Sequence, residues 1–479
     1  MKILVIETIA ATPHLETAGE IALRLKQKKH NVSFAWVGFD LPWNDWELSL
    51  KAKALGGSFE NKVHKFSKII SKKGIKVEKV HSLNNYDKIY KWSNNFNGNL
   101  SQLKNYKYDG CKLGAGVASS LISRFRDMNI DLKKYKSEVG KLLHASGIVY
   151  ERTKKILEES KPQKIYTFNN RFATCYAIIC AATKLKIKII RHERGCDISK
   201  FETYEKNVHD INLTQKNILQ YWIKNKNKNK IKKANQYFWD KIKKKSHKLN
   251  YNTVFTKKQI SNSLPPLPAK KRIITFYTSN DYEKASIIGM KFNQLKEFKK
   301  FKKVVSTFND IHLVVRVHPK LDQNFGSKKI DDDTDWIKFK DNKTTIIQSF
   351  ENFDTYALMF RSDIVVTYTS SIIVESAFFK KPSISIRKYW WSGLNITENA
   401  YSTNQLKNIL NKNYRFKNSN INNCLKIANY FLNFGKKFKY YKPINSTKGE
   451  FLSEKLTWKS NLIILMEKII KKKIKIAKK

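Results

Sequence analysis

The sequence predicts an α/β protein of two Rossmann-like domains facing a cleft, followed by a C-terminal helix. Three stretches carry that prediction. Residues 2–37 run strand, loop, helix, strand. Residues 261–271 (SNSLPPLPAKK) break the chain with three prolines. Residues 362–386 (SDIVVTYTSSIIVESAFFKKPSISI) repeat the strand–turn–helix–strand unit in the second half. At 479 residues the chain exceeds one ordinary core, so two or three domains are expected.

The N-terminal domain, expected over 1–260, opens with the apolar run KILVIETI at 2–9, the mark of a buried parallel strand. Thr12, Pro13 and His14 form a loop. A helix over about 15–28 puts Ala18, Ile21, Ala22 and Leu25 on one face and leaves Glu16 and Glu20 to solvent. NVSFAWV at 31–37 returns as a strand. No GxGxxG is present, so a dinucleotide site is not indicated. Residues 50–160 read as a polar, largely helical insertion. The α/β pattern resumes with strand 164–168, helix 172–184 and strand 187–191. Ligands of open parallel sheets gather at the carboxyl ends of strands. The loops Asn169–Arg171 and His192–Gly195 are therefore candidate site elements. The Lys/Asn-rich stretch 215–248 reads as helical, with Tyr221, Trp222, Tyr237, Phe238 and Trp239 as a packing stripe.

The prolines of 261–271 make a stiff linker, and a second domain is expected over 272–440. It starts with strand 272–278 (RIITFYT) and contains a strand ending at His318, a solvated acidic insertion at 331–336, a helix over 353–361 and the unit at 362–386. The tail 441–479 reads as an amphipathic helix over 453–472 with a basic end. No repeat of solenoid period is visible.

The formal net charge is +53, from 93 Lys and Arg against 40 Asp and Glu. A Lys-, Asn- and Ile-rich composition accounts for most of it. The remaining reading is attraction to polyanions, with contact to an anionic membrane as one form. Lys far outnumbers Arg, and no helix-turn-helix, zinc-finger or RNA-recognition signature occurs, which argues against nucleic acid as partner. Five scattered cysteines without a CxxC fit a reduced, cytoplasmic protein with neither disulfides nor a zinc site. The first residues read as a strand rather than a signal peptide, and no apolar run reaches membrane-spanning length.

The chemistry is expected at strand ends. Thr369, Ser370 and Ser371 link a buried strand to a helix, where hydroxyls either cap the helix or bind a nucleotide phosphate. Glu375, one turn on, can accept ribose hydroxyls or simply complement the helix dipole. His318 ends the strand LVVRV before Pro319, which biases it to an extended conformation. An imidazole there can stabilise a departing phosphate. Arg316 is either a phosphate clamp or half of a buried ion pair. Thr278, Ser279 and Asn280 edge the same region, and Glu283 is helix-cap chemistry. Among Glu7, His14, Glu193, Asp197 and Asp210 as acceptor-activating bases, Glu193 ranks first and His14 second. Asn170, Arg171 and Arg194 line the acceptor side. No DxD stands in a loop after a strand and no other metal constellation appears; the DDD at 331–333 reads as solvated surface.

RVHPK at 316–320 and TYALMFRSDIVVTYTSSIIVESAFFKKPSIS at 355–385 resemble the carboxyl half of bacterial surface- and capsular-polysaccharide glycosyltransferases of GT-B fold. HERGCDISKFETYEKNVHD at 192–210 resembles the centre of capsule-biosynthesis proteins. The resemblance covers most of the second domain and patches of the first. It implies a metal-independent enzyme without cofactor that moves a sugar from a nucleotide-sugar to a glycan or lipid-linked acceptor; the basic faces and the C-terminal helix are expected to hold it at an anionic inner-membrane surface. It implies that His318, Ser370 and Ser371 contact donor phosphates and that Glu375 holds ribose or sugar hydroxyls. The chain departs from the family at Thr369 and Lys380, where many members carry Gly. Glycerol- or polyol-phosphate transfer on the same scaffold, a sugar-nucleotide epimerase and a basic nucleic-acid- or membrane-binding protein are the alternatives.

Overall fold

The computed structural model describes residues 1–45, 58–80, 86–245, 259–321, 336–417 and 420–459. Its elements, in chain order, are β1 (Lys2–Glu7), α1 (His14–Gln27), β2 (Asn31–Trp36), α2 (Phe59–Lys72), β3 (Lys76–Val77), α3 (Tyr86–Asn94), α4 (Leu100–Asn105), α5 (Leu113–Phe125), α6 (Lys136–Ser160), β4 (Lys164–Phe168), α7 (Ala173–Lys184), β5 (Lys188–Arg194) and β6 (Lys200–Tyr204). There follow α8 (Ile211–Lys224), α9 (Lys230–Ile242), β7 (Arg272–Tyr277), α10 (Asp281–Ala285), α11 (Gln294–Val305), β8 (Ile311–Arg316), β9 (Thr344–Ile347), α12 (Thr355–Arg361), β10 (Ile364–Thr367), α13 (Ile372–Phe378), β11 (Ser383–Ser385), β12 (Glu398–Asn399), α14 (Thr403–Leu410) and α15 (Ile421–Asn433). The last strands are β13 (Lys436–Lys437), β14 (Tyr441–Asn445) and β15 (Lys448–Phe451).

The chain divides into two compact units. The first is Met1–Phe125, Asn129–Val208 and Gly435–Lys479; the second is Arg126–Met128 and His209–Phe434. The division therefore falls at Val208/His209, ahead of the proline stretch at 261–271. The physical reason is that α8 and α9 pack on α15, burying Ile218, Ala234 and Phe238 in the same core as Ile427 and Ala428.

The first unit carries a sheet in the order β13-β6-β5-β4-β1-β2-β3. Its five strands from β3 to β5 are parallel. Residues Ile3–Glu7 of β1 are all buried, as a central parallel strand covered on both faces requires. The chain steps outward from β1 to β2 and β3, then crosses to β4 and β5. The order reverses between β1 and β4. The described part of 50–160 supplies α2 to α6, and α5 and α6 pack against α7. These helices cover the sheet rather than forming a separate body.

The second unit is a sheet in the order β12-β11-β10-β7-β8-β9, parallel throughout. Read from β7, this is the doubly wound order 3-2-1-4-5-6. Its order reverses between β7 and β10. Both units are thus Rossmann-like, in agreement with the fold class read from the sequence.

The C-terminal return differs from expectation. From Gly435 the chain rejoins the first unit, where β13 pairs antiparallel with β6 and β14 and β15 form a hairpin. Glu20, expected in solvent, is 0% exposed. Its carboxylate accepts the N–H groups of Lys439 (2.8 Å), Tyr440 (2.6 Å) and Tyr441 (3.3 Å) and pairs with Arg24 at 2.5 Å. Gly19 lets Phe451 and Phe66 reach the backbone of α1; a Cβ there would lie 2.5 Å from Phe451 Cζ. Residues 453–459, expected to start a helix, are turn and loop, because Phe451 and Glu454 exchange backbone hydrogen bonds at 2.9 and 3.0 Å. The rest of that predicted helix and the acidic run at 331–333 lie outside the described residues. Among the described residues, no helix is long and apolar enough to cross a membrane. All five cysteines are free.

Candidate functional site

In the second unit, the loops after β7, β8 and β10 are tied together at the carboxyl edge of the sheet. His318 donates its backbone N–H to Thr278 Oγ1 at 2.9 Å. Thr369 Oγ1 donates to Ser279 Oγ at 2.7 Å, and Thr369 N donates to the same oxygen at 3.2 Å. Ser279 N donates to Gln294 Oε1 at 2.8 Å. Thr278, Ser279 and Thr369 are each at most 4% exposed. Expected as ligand contacts, these three spend their hydroxyls on fastening the strand ends to one another.

That fastening presents the next residues. Ser370 donates its N–H to Thr367 Oγ1 at 2.8 Å, and its side chain is half-exposed. Ser371 stands at the N-cap position of α13 yet its side chain caps nothing. Neither hydroxyl has a hydrogen-bond partner among the described residues, so the capping reading of these serines does not hold. The helix behind them has seven residues, too short for its dipole to carry an anion site. Across the reversal point, Asn280 is 4% exposed. Its Oδ1 accepts Glu283 N at 3.3 Å, the cap expected of that turn, while its Nδ2 is buried without a partner. His318 is half-buried at the end of β8, leading into the turn Pro319–Leu321. Lys380 adopts φ +56°, the left-handed backbone at one of the two positions where many members of the resembled family carry Gly.

Two expected ligands are otherwise engaged. Arg316 is 2% exposed and donates to the carbonyls of Gln348 (2.6 Å) and Glu351 (3.0 Å). Its guanidinium clamps the 348–351 loop rather than a phosphate. Glu375 is 3% exposed and paired with Lys241 from α9. Burial opposes the lysine's charge, but Glu375, with Tyr237 and Tyr356, overrides it and holds the ammonium well above its ordinary pKa. Glu375 thus joins α13 to α9 through a buried ion pair, with Oε2 left without a hydrogen bond.

In the first unit, the edge between β1 and β4 gathers more titratable groups. Glu7 Oε1 meets His192 Nε2 at 2.5 Å with both side chains fully buried. Burial raises the Glu7 pKa, offset in part by the His192 charge and hydrogen bond. His14 lies against Phe168 with ring centroids 4.0 Å apart. Burial first, then the charges of Arg194, His192 and Lys62, push its pKa well below the usual value, so it is a neutral imidazole at pH 7. Glu193 accepts Asn169 Nδ2 at 2.5 Å and Arg194 N at 2.9 Å. It lies on β5 rather than in a loop, because β5 turns directly into antiparallel β6. Asn170 is 6% exposed with Oδ1 buried and unpartnered. Arg171 donates to Ser123 Oγ at 3.0 Å. Asn169 has φ +38°, and Phe172 has φ +72° and ψ 151°. The latter is a backbone region nearly confined to glycine, of the kind that accumulates at functional sites.

Two structures of KpsC from Thermosulfurimonas dismutans are among the solved structures to which the chain is similar. The β-Kdo 2,7-transferase is 12% identical over 66% of this chain and 89% of that one, with a TM-score of 0.35. The β-Kdo 2,4-transferase is 13% identical over 56% and 79%, with a TM-score of 0.37. A UDP-GlcNAc 2-epimerase from Neisseria meningitidis, solved with UDP-GlcNAc, is 12% identical over 90% and 99%, with a TM-score of 0.27. No protein-family model and no curated protein matches the chain.

Asp45 and Lys62 gave no readable sequence signal. Asp45 accepts Thr174 N (3.1 Å) and Oγ1 (2.7 Å) and a bond from Ser120 Oγ, and burial raises its pKa against those bonds. Lys62 is 3% exposed and holds the loop before α1 through Ala10 O, Thr12 Oγ1 and Glu16 Oε1 at 2.7–2.8 Å; Glu16, expected in solvent, is buried with it. Among the described residues, no group of three or more His, Cys, Asp or Glu is arranged to hold a metal ion.

Proposed function

We propose that the chain is a glycosyltransferase that moves a sugar from a nucleotide-sugar donor to a surface-polysaccharide or lipid-linked glycan acceptor. One observation carries this reading. At the order reversal of the 3-2-1-4-5-6 sheet, where such folds bind nucleotides, the Ser370 and Ser371 hydroxyls are uncommitted and the Asn280 amide is buried without a partner. A diphosphate offers acceptor oxygens to all three donors.

In this reading the second unit binds the donor. Ser370, Ser371 and His318 stabilise the charge that develops on the phosphate as the glycosidic C–O bond breaks. The first unit supplies acceptor activation. Glu193, oriented by Asn169 and the Arg194 N–H, takes the proton of the acceptor hydroxyl as it attacks the anomeric carbon, and Asn170, Arg171 and Arg194 orient that acceptor. Glu375, Arg316, Thr278, Ser279 and Thr369 act as supports of the donor loops. No step requires a metal or cofactor.

A thermal-shift screen with CMP, CDP, UDP, GDP and their sugars tests this. A nucleotide at 100 times its Kd stabilises by about 2.7 kcal/mol. One nucleotide should stabilise wild type and lose its effect in Ser370→Ala/Ser371→Ala and in His318→Ala. If no nucleotide shifts the melting temperature, the transferase reading fails. CDP-glycerol stabilising in place of the nucleotide-sugars would shift it to polyol-phosphate transfer.

A further inference from the structure

Helices α8 and α9 bury part of their apolar surface in the core of the second unit and leave part of it exposed. The buried face holds Ile218, Ala234 and Phe238. Other apolar side chains of the pair stay in solvent: Leu219 is 42% exposed, Ile223 66%, and Ile231, in the first turn of α9, 52%. The two isoleucines sit at facing ends of the helix pair. Lys230 draws those ends together by donating to Trp222 O and Asn225 O, each at 3.2 Å, and by lying over the Trp222 ring at 4.4 Å. Asn225 in turn donates to Asn429 Oδ1 on α15 at 2.5 Å. The apolar tip is therefore built and held, not a frayed end.

The surround is basic. Residues 211–245 contain eleven lysines and one acid, Asp240, and Asp240 is buried. Lys224, Lys226, Lys228, Lys232 and Lys233 are exposed, and none pairs with a carboxylate among the described residues. Two copies of such a tip would repel each other. Single-stranded nucleic acid would call for exposed stacking aromatics and arginines. This segment has no arginine, and its exposed aromatic, Trp239, lies on α9 eight residues past Ile231, edge-on against Phe379 at 5.1 Å. Aliphatic side chains ringed by lysines match an anionic bilayer, which takes the first into the acyl boundary and the second among its phosphates.

We propose that the α8–α9 tip is a membrane-docking surface, with Ile223 and Ile231 entering the interface of an anionic bilayer and the surrounding lysines meeting lipid phosphates. This goes beyond the transferase reading and does not depend on it.

Flotation of the full chain with phosphatidylglycerol-containing vesicles, against phosphatidylcholine alone, tests the proposal. Wild type should float with the anionic vesicles only. Ile223→Ser/Ile231→Ser should lower partitioning by about tenfold or more, while Ile223→Leu/Ile231→Leu retains it. Lys226→Gln and Lys228→Gln should each weaken it by about fivefold. The four side chains changed are all exposed in wild type, so melting temperatures should stay at the wild-type value, and the leucine pair separates a lost contact from a lost fold. The proposal is overturned if wild type fails to float, if the serine pair floats equally well, or if the chain is retained by single-stranded RNA and not by vesicles. Nucleotide stabilisation measured on the same samples reports on the transferase reading separately.

Discussion

Glu375 is where a ligand role and a supporting role give opposite results. Its carboxylate is 3% exposed, whereas the Lys241 side chain keeps 31% of its surface in water. Breaking a buried ion pair by removing one partner costs about 3–5 kcal/mol, because the other charge is stranded. The stranded charge differs between the two single variants. Glu375→Gln leaves the better hydrated lysine, so its cost should fall at the low end, about 3 kcal/mol. Lys241→Met leaves a carboxylate with almost no water and should cost more, about 4–5 kcal/mol. In a unit of this size about 3 kcal/mol lowers the melting temperature by roughly 6–12 °C. The double variant Lys241→Met/Glu375→Leu strands nothing and should return to within about 1 kcal/mol of wild type. Urea unfolding of the four proteins compares these costs, and the nucleotide screen on the double variant reads the donor site. A supporting role predicts recovered stability and an intact nucleotide shift. A double variant as unstable as the singles, or one that is stable but blind to nucleotide, would refute the reasoning and restore Glu375 as a ligand.

Glu20→Ala should strand the N–H groups of Lys439, Tyr440 and Tyr441, costing about 3 kcal/mol and exposing the chain after Gly435 to limited proteolysis. Arg316→Lys cannot span the Gln348 and Glu351 carbonyls together. It should cost about 1.5–3 kcal/mol in urea unfolding while keeping the nucleotide shift; loss of that shift at unchanged stability would make Arg316 a clamp after all. His14 is held neutral by burial and by neighbouring cations, while in the unfolded chain it titrates near about 6.5. Below that pH the unfolded state binds the extra proton, so stability falls with falling pH by about 1.4 kcal/mol per unit until the folded pKa is reached. His14→Leu should flatten that limb of a pH–stability profile, and an unchanged limb would mean that His14 is not buried neutral.

The strands were legible because burial on both faces writes continuous apolar runs. KIYTF at 164–168 coincides with β4, and 2–9, 31–37 and 272–278 each contain a strand end to end. Strand-end loops were legible for the same reason: they start where such a run stops. What a residue does in its loop was not. The hydroxyls of Thr278, Ser279, Thr369, Ser370 and Ser371 look alike in the sequence. Only the position of a neighbouring loop decides that three are fasteners and two are uncommitted. Arg316 and Glu375 misled because their partners, two carbonyls at 348 and 351 and an ammonium at 241, are far away in the chain. Glu20 looked solvated because its partners arrive more than 400 residues later. The unit boundary was missed because a proline run is visible while the packing of α8 and α9 on α15 is a tertiary fact.

The two sheets share a physical logic. Each reverses its strand order beside its first strand, and at each reversal an asparagine amide is buried with one polar atom unsatisfied: Asn170 Oδ1 in the first unit, Asn280 Nδ2 in the second. An orphaned buried polar group costs on the order of 1–3 kcal/mol. The first unit adds the Phe172 backbone, of comparable cost. Neither is needed to close the loops, since Asn169 Oδ1 accepts the N–H groups of Asn170 and Arg171 and Asn280 caps with its oxygen alone. The unsatisfied atoms are complementary in kind. The second unit offers a donor, which suits phosphate oxygens, and the first offers an acceptor, which suits a sugar hydroxyl. That difference divides the labour proposed for the two units, donor nucleotide on one and acceptor glycan on the other. It is testable at single-atom scale. Asn280→Asp exchanges the donor for a like charge and should abolish nucleotide stabilisation, whereas Asn170→Asp keeps an acceptor and should leave it unchanged.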